Sequence, residues 1–279
     1  MLDRLAFSTL GCPGWSLEEI ADNAAAMGFS AIELRGVKED LDVTLIPGFG
    51  ALAEEAIKGK PLRYCGVNTS IFLSDPSRNA ENIKEARRTA DLCAELGIPN
   101  IRVFGDAFPE GRTKAQTIKA VAEGISEISE ICGDKICVLL EVHGEFNRSE
   151  VLAQTMESLS AGTNAGLIWD IEHSYRVYGN DIEGFYNVVR PYVRHVHVKD
   201  CLIENGKTEA RLMGEGGIEV EKIIGMLESG GYQGLYSFEW EKRWRPSIAA
   251  PEAAFPAFVN FMRRISADEK HLGNGKAMP

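Results

Sequence analysis

No two cysteines in this chain are spaced CxxC; Cys12, Cys65, Cys93, Cys132, Cys137 and Cys201 are scattered. That excludes a zinc ribbon and similar thiolate modules, and isolated thiols in apolar contexts suit a reducing cytoplasm. No apolar run approaches the roughly 20 residues needed to span a bilayer. Positive charge is in deficit, with 30 Lys and Arg against 41 Asp and Glu and a formal net charge of −11. A protein that grips nucleic acid needs a basic footprint, and no basic run supplies one here. A glycine-rich phosphate loop is missing too: TLGCPGWS, after the first strand candidate, is neither GxGxxG nor GxxxxGK[ST]. Histidine is scarce, and none of the five precedes His143.

What remains is the make-up of an ordinary folded domain, 44% hydrophobic and 25% charged. The N-terminal MLDRLAFSTLGCPGW lacks a long apolar stretch and a small-residue cleavage site, so it reads as a first strand rather than a signal peptide. Strand-like segments at 5–10, 31–35, 62–68, 100–105, 136–143, 166–171, 193–199 and 235–241 are rich in β-branched and aromatic residues. Helical stretches separate them, clearest at 16–27, 80–96, 114–131 and 220–227, and Ser16 with Glu19 forms a capping-box pattern. Gly-containing turns such as MGFS at 27–30 and LGIPN at 96–100 end the helices. Eight strands alternating with helices predict an α/β fold, a single (β/α)8 TIM barrel over residues 1–279. The tail from about 268, ending in HLGNGKAMP, is expected to pack loosely.

Alternate residues of a strand share a face, and barrel active sites collect at the C-terminal strand ends. In VLLEVHGEF, Glu141 and His143 share a face; in GLIWDIEH, Asp170 lies near the strand end with His173 on the turn. In VRHVHVKD, His195, His197 and Lys199 line one face, and in LYSFEWEK so do Ser237, Glu239 and Glu241. Four consecutive strands thus present a carboxylate or imidazole at one end. Crowding carboxylates in a barrel mouth is costly unless a cation compensates. Two Glu, one Asp and one His suit Mn²⁺, Mg²⁺, Co²⁺ or Zn²⁺, with Mn²⁺ favoured, and the lack of a thiolate argues against a soft metal.

FSTLGCPGWSLEEIADNAAAMGFSAIELRG at 7–36, with LLEVHG, IWDIEH, HVHVKD and FEWEKRW in that order, resembles the xylose-isomerase-like barrel superfamily. Its members include tagatose/psicose 3-epimerases, inosose dehydratases, hydroxypyruvate isomerases and, as a nucleic-acid relative, endonuclease IV. The resemblance covers most of the chain. It implies that Glu141, Asp170, His197 and Glu239 hold one divalent metal, with Glu239 preferred to Glu241, and that His173 touches substrate. It also implies a metal-dependent isomerase or epimerase of a small sugar, keto-sugar or sugar phosphate, working through an enediolate. Glu141 and Glu239 would then be the catalytic proton carriers on its opposite faces.

The alternative is a dehydratase on a cyclic polyol or keto compound, with His143, Glu145 and Lys199 as candidate acids. An endonuclease comes a distant third, because its multi-metal cluster draws on histidines from early strands, absent here. Glu33 and Arg35 share inward parity in IELRG and are read either as substrate contacts, with His143 and Lys199, or as an internal salt bridge. Arg102, Arg243 and Arg245 are candidates for a phosphate or carboxylate. The partner expected is a small polyol or sugar, not nucleic acid or membrane. WEKRWRP at 240–246 is read as a lid, a homo-oligomer contact or plain packing of Trp240 and Trp244.

Overall fold

The computed structural model describes residues 1–204 and 206–274, those from 268 by backbone only. Among the described residues there are ten strands: β1 (Leu5–Ser8), β2 (Ala31–Leu34), β3 (Arg63–Phe72), β4 (Asn100–Phe104), β5 (Cys137–Glu141), β6 (Ala165–Asp170), β7 (Val193–Val198), β8 (Asp200–Glu204), β9 (Lys207–Arg211) and β10 (Tyr236–Phe238). Eight of them, all in parallel pairs, close in the order β1-β10-β7-β6-β5-β4-β3-β2. This is the single (β/α)8 barrel that the alternation predicts. Most strands end sooner than expected, with 9–11 in a 3₁₀ turn and residues 142–143 and 239–241 beyond their strands, whereas β3 runs on past the expected 68 to Phe72. Sequence reading passed over the antiparallel hairpin β8–β9 entirely. Its signal is the Asn-Gly pair at 205–206, a strong hairpin dipeptide set among charged residues.

The helices are α1 (Leu17–Met27), α2 (Phe49–Ile57), α3 (Asn79–Leu96), α4 (Lys114–Cys132), α5 (Ser149–Glu157), α6 (Ile171–Tyr178), α7 (Ile182–Val189), α8 (Val220–Ser229) and α9 (Pro251–Asn274). The capping box is present: Glu19 N donates to Ser16 Oγ at 3.2 Å and Ser16 N to Glu19 Oε2 at 2.7 Å. Gly28 ends α1 at φ 87°, which only glycine adopts cheaply. Backbone at 268–274 continues α9, and 275–279, the rest of the expected tail, lies outside the described residues.

Parity sorts the strands. Ile101, Val103, Val138, Leu140, Leu167, Trp169, Val196, Val198, Tyr236 and Phe238 are buried in the large apolar core. Phe238 stacks on Phe258 of α9 at 4.9 Å, so the last helix closes the barrel's outer layer beside β10. Inside, Ala6, Ala31, Cys65 and Leu235 make a separate small apolar cluster. Ala6, Ala31 and Leu235 lie two residues before Ser8, Glu33 and Ser237, so small apolar side chains plug the barrel beneath the polar residues.

Gly105, just past β4, lets the backbone lie flat against the fully buried Phe146 ring; a Cβ there would sit 2.5 Å from it. Gly105→Ala is expected to cost about 1–3 kcal/mol by overpacking. Calorimetry should show its melting temperature several degrees lower. Gly14→Ala, where a Cβ meets nothing within 4 Å, should shift it little; equal effects would contradict this packing.

Candidate metal centre at the barrel mouth

Glu141 ends β5, Asp170 ends β6, His197 lies near the end of β7 and Glu239 follows β10. These are neighbouring staves. Glu239 N still donates to Val198 O at 3.1 Å, which carries the ladder one residue past the strand. Asp170 pairs with His197 in register, whereas Glu141 pairs with Ile168 two residues earlier. The shear of a closed barrel brings such offset residues together. One ligand atom from each of the four lies within 4.8 Å of the others, and all four residues are buried.

His197 is held from both sides. Its Nε2 lies 3.1 Å from each Glu33 carboxylate oxygen, and its Nδ1 lies 3.1 Å from Glu141 Oε1 and 3.4 Å from Glu239 Oε1. A neutral imidazole has one N–H and one lone pair. Once the ring is neutral, with Nε2–H donated to Glu33, its lone pair falls on Nδ1, facing the carboxylates. That is how an outer carboxylate orients a metal-binding histidine. Glu33, His195 and His197 also converge, but His197 would have to shed both ring protons to serve two ions. Glu33 therefore acts on His197, and Ser237 Oγ donates to it at 2.7 Å. Glu33, expected among the substrate contacts, has its carboxylate directed to these partners.

The charges are tightly interlocked. Burial pulls His197 down, but Glu239, Glu33 and Glu141 together raise it well above the usual imidazole range. Burial pushes Glu239 up, but His197 and Lys199 hold it well below the usual carboxylate range. Glu141 is also pushed up by burial, and Arg102, 2.7 Å away, reverses this. Asp170 stays raised: burial, reinforced by Glu239 and Glu141, outweighs Lys199.

Asp170 does two jobs. Its Oδ1 caps α6, accepting from Glu172 N and His173 N at 2.9 and 3.2 Å. Its Oδ2 is buried with no hydrogen-bond donor, although Lys199 Nζ lies 2.7 Å away outside hydrogen-bond geometry. A buried carboxylate oxygen with no aligned donor, facing two glutamates and His197 Nδ1, fits a divalent cation. Three oxygens and one nitrogen are a hard to borderline donor set.

The remaining expected residues divide. Lys199 bridges Asp170, Glu239 (2.6 Å) and Glu241 (3.2 Å). Glu241 also pairs with Arg245 at 3.1 Å, so Glu239, not Glu241, reaches the cluster. Arg102 is buried, tied to Glu141 and to Thr69 O at 2.7 Å. Arg243 donates to Lys38 O, and Arg35 to Ser70 Oγ at 3.0 Å. Glu33 and Arg35 therefore form no mutual salt bridge. Trp240 is buried and stacks on Phe238, while Trp244 is exposed.

Asp106 escaped the sequence reading. It follows β4 and lies at positive φ (60°). Its Oδ1 lies 2.7 Å from His143 Nδ1, and the His143 and His173 rings are 4.3 Å apart. Burial lowers His143, but Asp106 and Glu141 leave it raised. Burial, aided by Lys199 and His143, brings His173 down to about 4, so it is neutral at pH 7. His143, His173 and the exposed Glu145 line a cavity of about 490 Å³. The signal for Asp106 was its place at a strand's C-terminal end, the rule applied only to later strands.

The xylose isomerase-like TIM barrel family model matches residues 21–265. No curated protein matches the chain. Among solved structures, the probable 3-DHS dehydratase AsbF of Bacillus anthracis, involved in petrobactin synthesis, has a TM-score of 0.76 at 18% identity, covering 93% of this chain and 98% of that one. The 3-keto-D-glucoside 4-epimerase YcjR of E. coli has a TM-score of 0.73 at 17% identity, covering 95% and 99%. An IolI protein with a zinc atom has a TM-score of 0.77 at 17% identity, covering 95% and 97%. At such identities these neighbours share the fold, whereas the family model spans most of the barrel: the chain belongs to the xylose isomerase-like TIM barrel family.

Proposed function

We propose that this protein is a divalent-metal-dependent isomerase or epimerase of a small polyol or keto-sugar, with Glu141, Asp170, His197 and Glu239 as the ligands. The observation that carries the reading is their convergence, with His197 Nδ1 turned toward the carboxylates by Glu33 on Nε2. Epimerase activity in YcjR and zinc in IolI support it. Mn²⁺ is the preferred ion, with Mg²⁺, Co²⁺ and Zn²⁺ as alternatives. Six free thiols suit the cytoplasm.

A C–H beside a carbonyl is a weak acid, and its removal leaves charge on oxygen. A divalent ion, when bound, supplies the Lewis acidity that stabilises this enediolate charge. Glu141 and Glu239 come from β5 and the end of β10, separated around the barrel by β6 and β7. They therefore approach a substrate from different sides, one to take the proton and the other to return it. Arg102 on Glu141 Oε2 and Lys199 on Glu239 Oε2 keep both carboxylates ionised, the proton-accepting state. His173, neutral, offers a hydrogen bond to substrate hydroxyls. A second reading, elimination of water, draws on the Asp106–His143 pair, which places a proton donor beside the same mouth.

Chelation should abolish turnover, and Mn²⁺ should restore it; full activity after exhaustive chelation would sink the metal reading. Glu141→Gln and Glu239→Gln should each lower kcat by at least about 100-fold, the scale of one acid–base group, with unchanged circular dichroism. In D₂O, isomerisation should place solvent deuterium in a product of otherwise unchanged mass formula, whereas loss of water would favour the dehydratase.

Metal affinity should rise with pH. The free protein holds a proton on His197, raised above its ordinary value, and a ligand nitrogen must lose it, so binding releases protons. Calorimetry in buffers of differing ionisation enthalpy should show about one proton released per Mn²⁺ near neutral pH. No release would remove His197 from the ligand set.

A further inference from the structure

Arg35, just past β2, carries a buried guanidinium with no carboxylate within 4.0 Å among the described residues; its side chain retains only the Ser70 hydroxyl, at 3.0 Å. The nearby Glu85 is occupied by Ser70 N at 2.6 Å. Burial, then the neighbouring Arg102, brings Arg35 down to about 9, and Glu85, Glu141 and Glu239 only partly offset this. An arginine so placed normally finds a carboxylate, since burying an unpaired charge is expensive.

Asn68 supplies a second, independent observation. It is 3% exposed, and neither its amide nitrogen nor its amide oxygen has a hydrogen-bond partner. It is the register partner of Arg102 on β4, and the pairing of Leu34 with Val67 on the other side sets Arg35, the next residue, across from it. A buried amide left without partners costs roughly 1–3 kcal/mol for each unsatisfied group. The chain keeps this one beside the unpaired arginine and next to the metal-site glutamates.

Pairing gives the direction. Arg102 is paired with Glu141, and Lys199 with Asp170, Glu239 and Glu241. Glu85, whose charge reaches Arg35, accepts from Ser70 N and makes no contact with the guanidinium. Of these three buried cations, Arg35 alone has no carboxylate in contact among the described residues.

We propose that Arg35 and Asn68 form an oxyanion-recognising end of the substrate site, and that the substrate carries a carboxylate. The proposal rests on the metal-dependent reading of the same barrel mouth. One guanidinium without a paired carboxylate matches a carboxylate monoanion, which it meets with two parallel N–H bonds. A phosphate dianion would call for more cations than this end supplies. The Asn68 amide nitrogen then donates to the oxyanion or to an adjacent hydroxyl.

The test is direct binding to the full chain saturated with Mg²⁺, by calorimetry or ligand-observed NMR, using glucuronate, glucose and glucose 6-phosphate. Glucuronate is expected to bind at least about tenfold tighter than glucose, the order of one charge-assisted contact. Arg35→Met should erase that preference while Mn²⁺ affinity, titrated separately, is retained. Asn68→Asp, which sets a like charge beside the oxyanion, should erase it too, and this variant serves if Arg35→Met fails to fold. Equal binding of glucuronate and glucose by a chain that binds Mn²⁺ overturns the proposal and leaves the metal reading standing. Tighter binding of glucose 6-phosphate than glucuronate overturns the carboxylate assignment. A preference that survives both substitutions shows that Arg35 only balances the carboxylates. Failure to bind Mn²⁺ at all strikes the underlying metal reading instead.

Discussion

Four carboxylates share the barrel mouth with one imidazole at their centre, and most of the site's architecture answers the cost of that crowding. Like charges a few ångströms apart in a water-poor interior repel strongly, and burial penalises each one separately. The protein meets the cost with Arg102 on Glu141, with Lys199 between Asp170 and Glu239, and with the imidazole shared by Glu33 and Glu141. These contacts still leave Asp170 Oδ2 without a donor and Asp170 raised. The residual imbalance is the physical argument for a cation, because replacing these groups by apolar side chains would relieve it at no cost to a merely structural barrel.

The same crowding fixes the roles of neighbours that never reach the cluster. Glu33 turns His197 so that Nδ1 rather than Nε2 faces the other carboxylates. The N-terminus of α6 takes up one oxygen of Asp170 and leaves the second free, so one side chain ends a strand, starts a helix and faces the centre. Ala6, Ala31, Cys65 and Leu235 seal the barrel beneath. Rigidity at the site thus comes from the ladder, the cap and the plug together.

Membership of the xylose isomerase-like family agrees with this organisation, and the fold neighbours include an epimerase and a probable dehydratase. In the chemistry proposed for this chain, isomerisation and dehydration both start by removing a proton beside a carbonyl. They part at the second step, where one returns a proton and the other expels a hydroxyl. The difference would lie in the groups around the candidate metal centre. In this chain those are the Asp106–His143 pair on one side and the Arg35–Asn68 end on another.

Local pattern carried much of this structure. Alternating strands and helices, the Ser16–Glu19 capping box and the two-residue parity of HVHVKD and FEWEK arise from chain chemistry that any short segment expresses by itself. They were enough to name the barrel and to bring Glu141, Asp170, His197 and Glu239 to one end. The β8–β9 hairpin was also written locally, in the Asn-Gly pair of the sequence between its strands. Other features depended on closure of the barrel. Parity placed Glu33 and Arg35 on one face but could not say that the first would turn to His197, 164 positions away, and the second to Ser70. Asp106 meets His143 across adjacent strands, and Glu239 rather than Glu241 reaches the centre because the last ladder ends where it does. Side-chain partners are chosen by strand stagger and by competition among buried charges, and both exist only once the eight staves have closed.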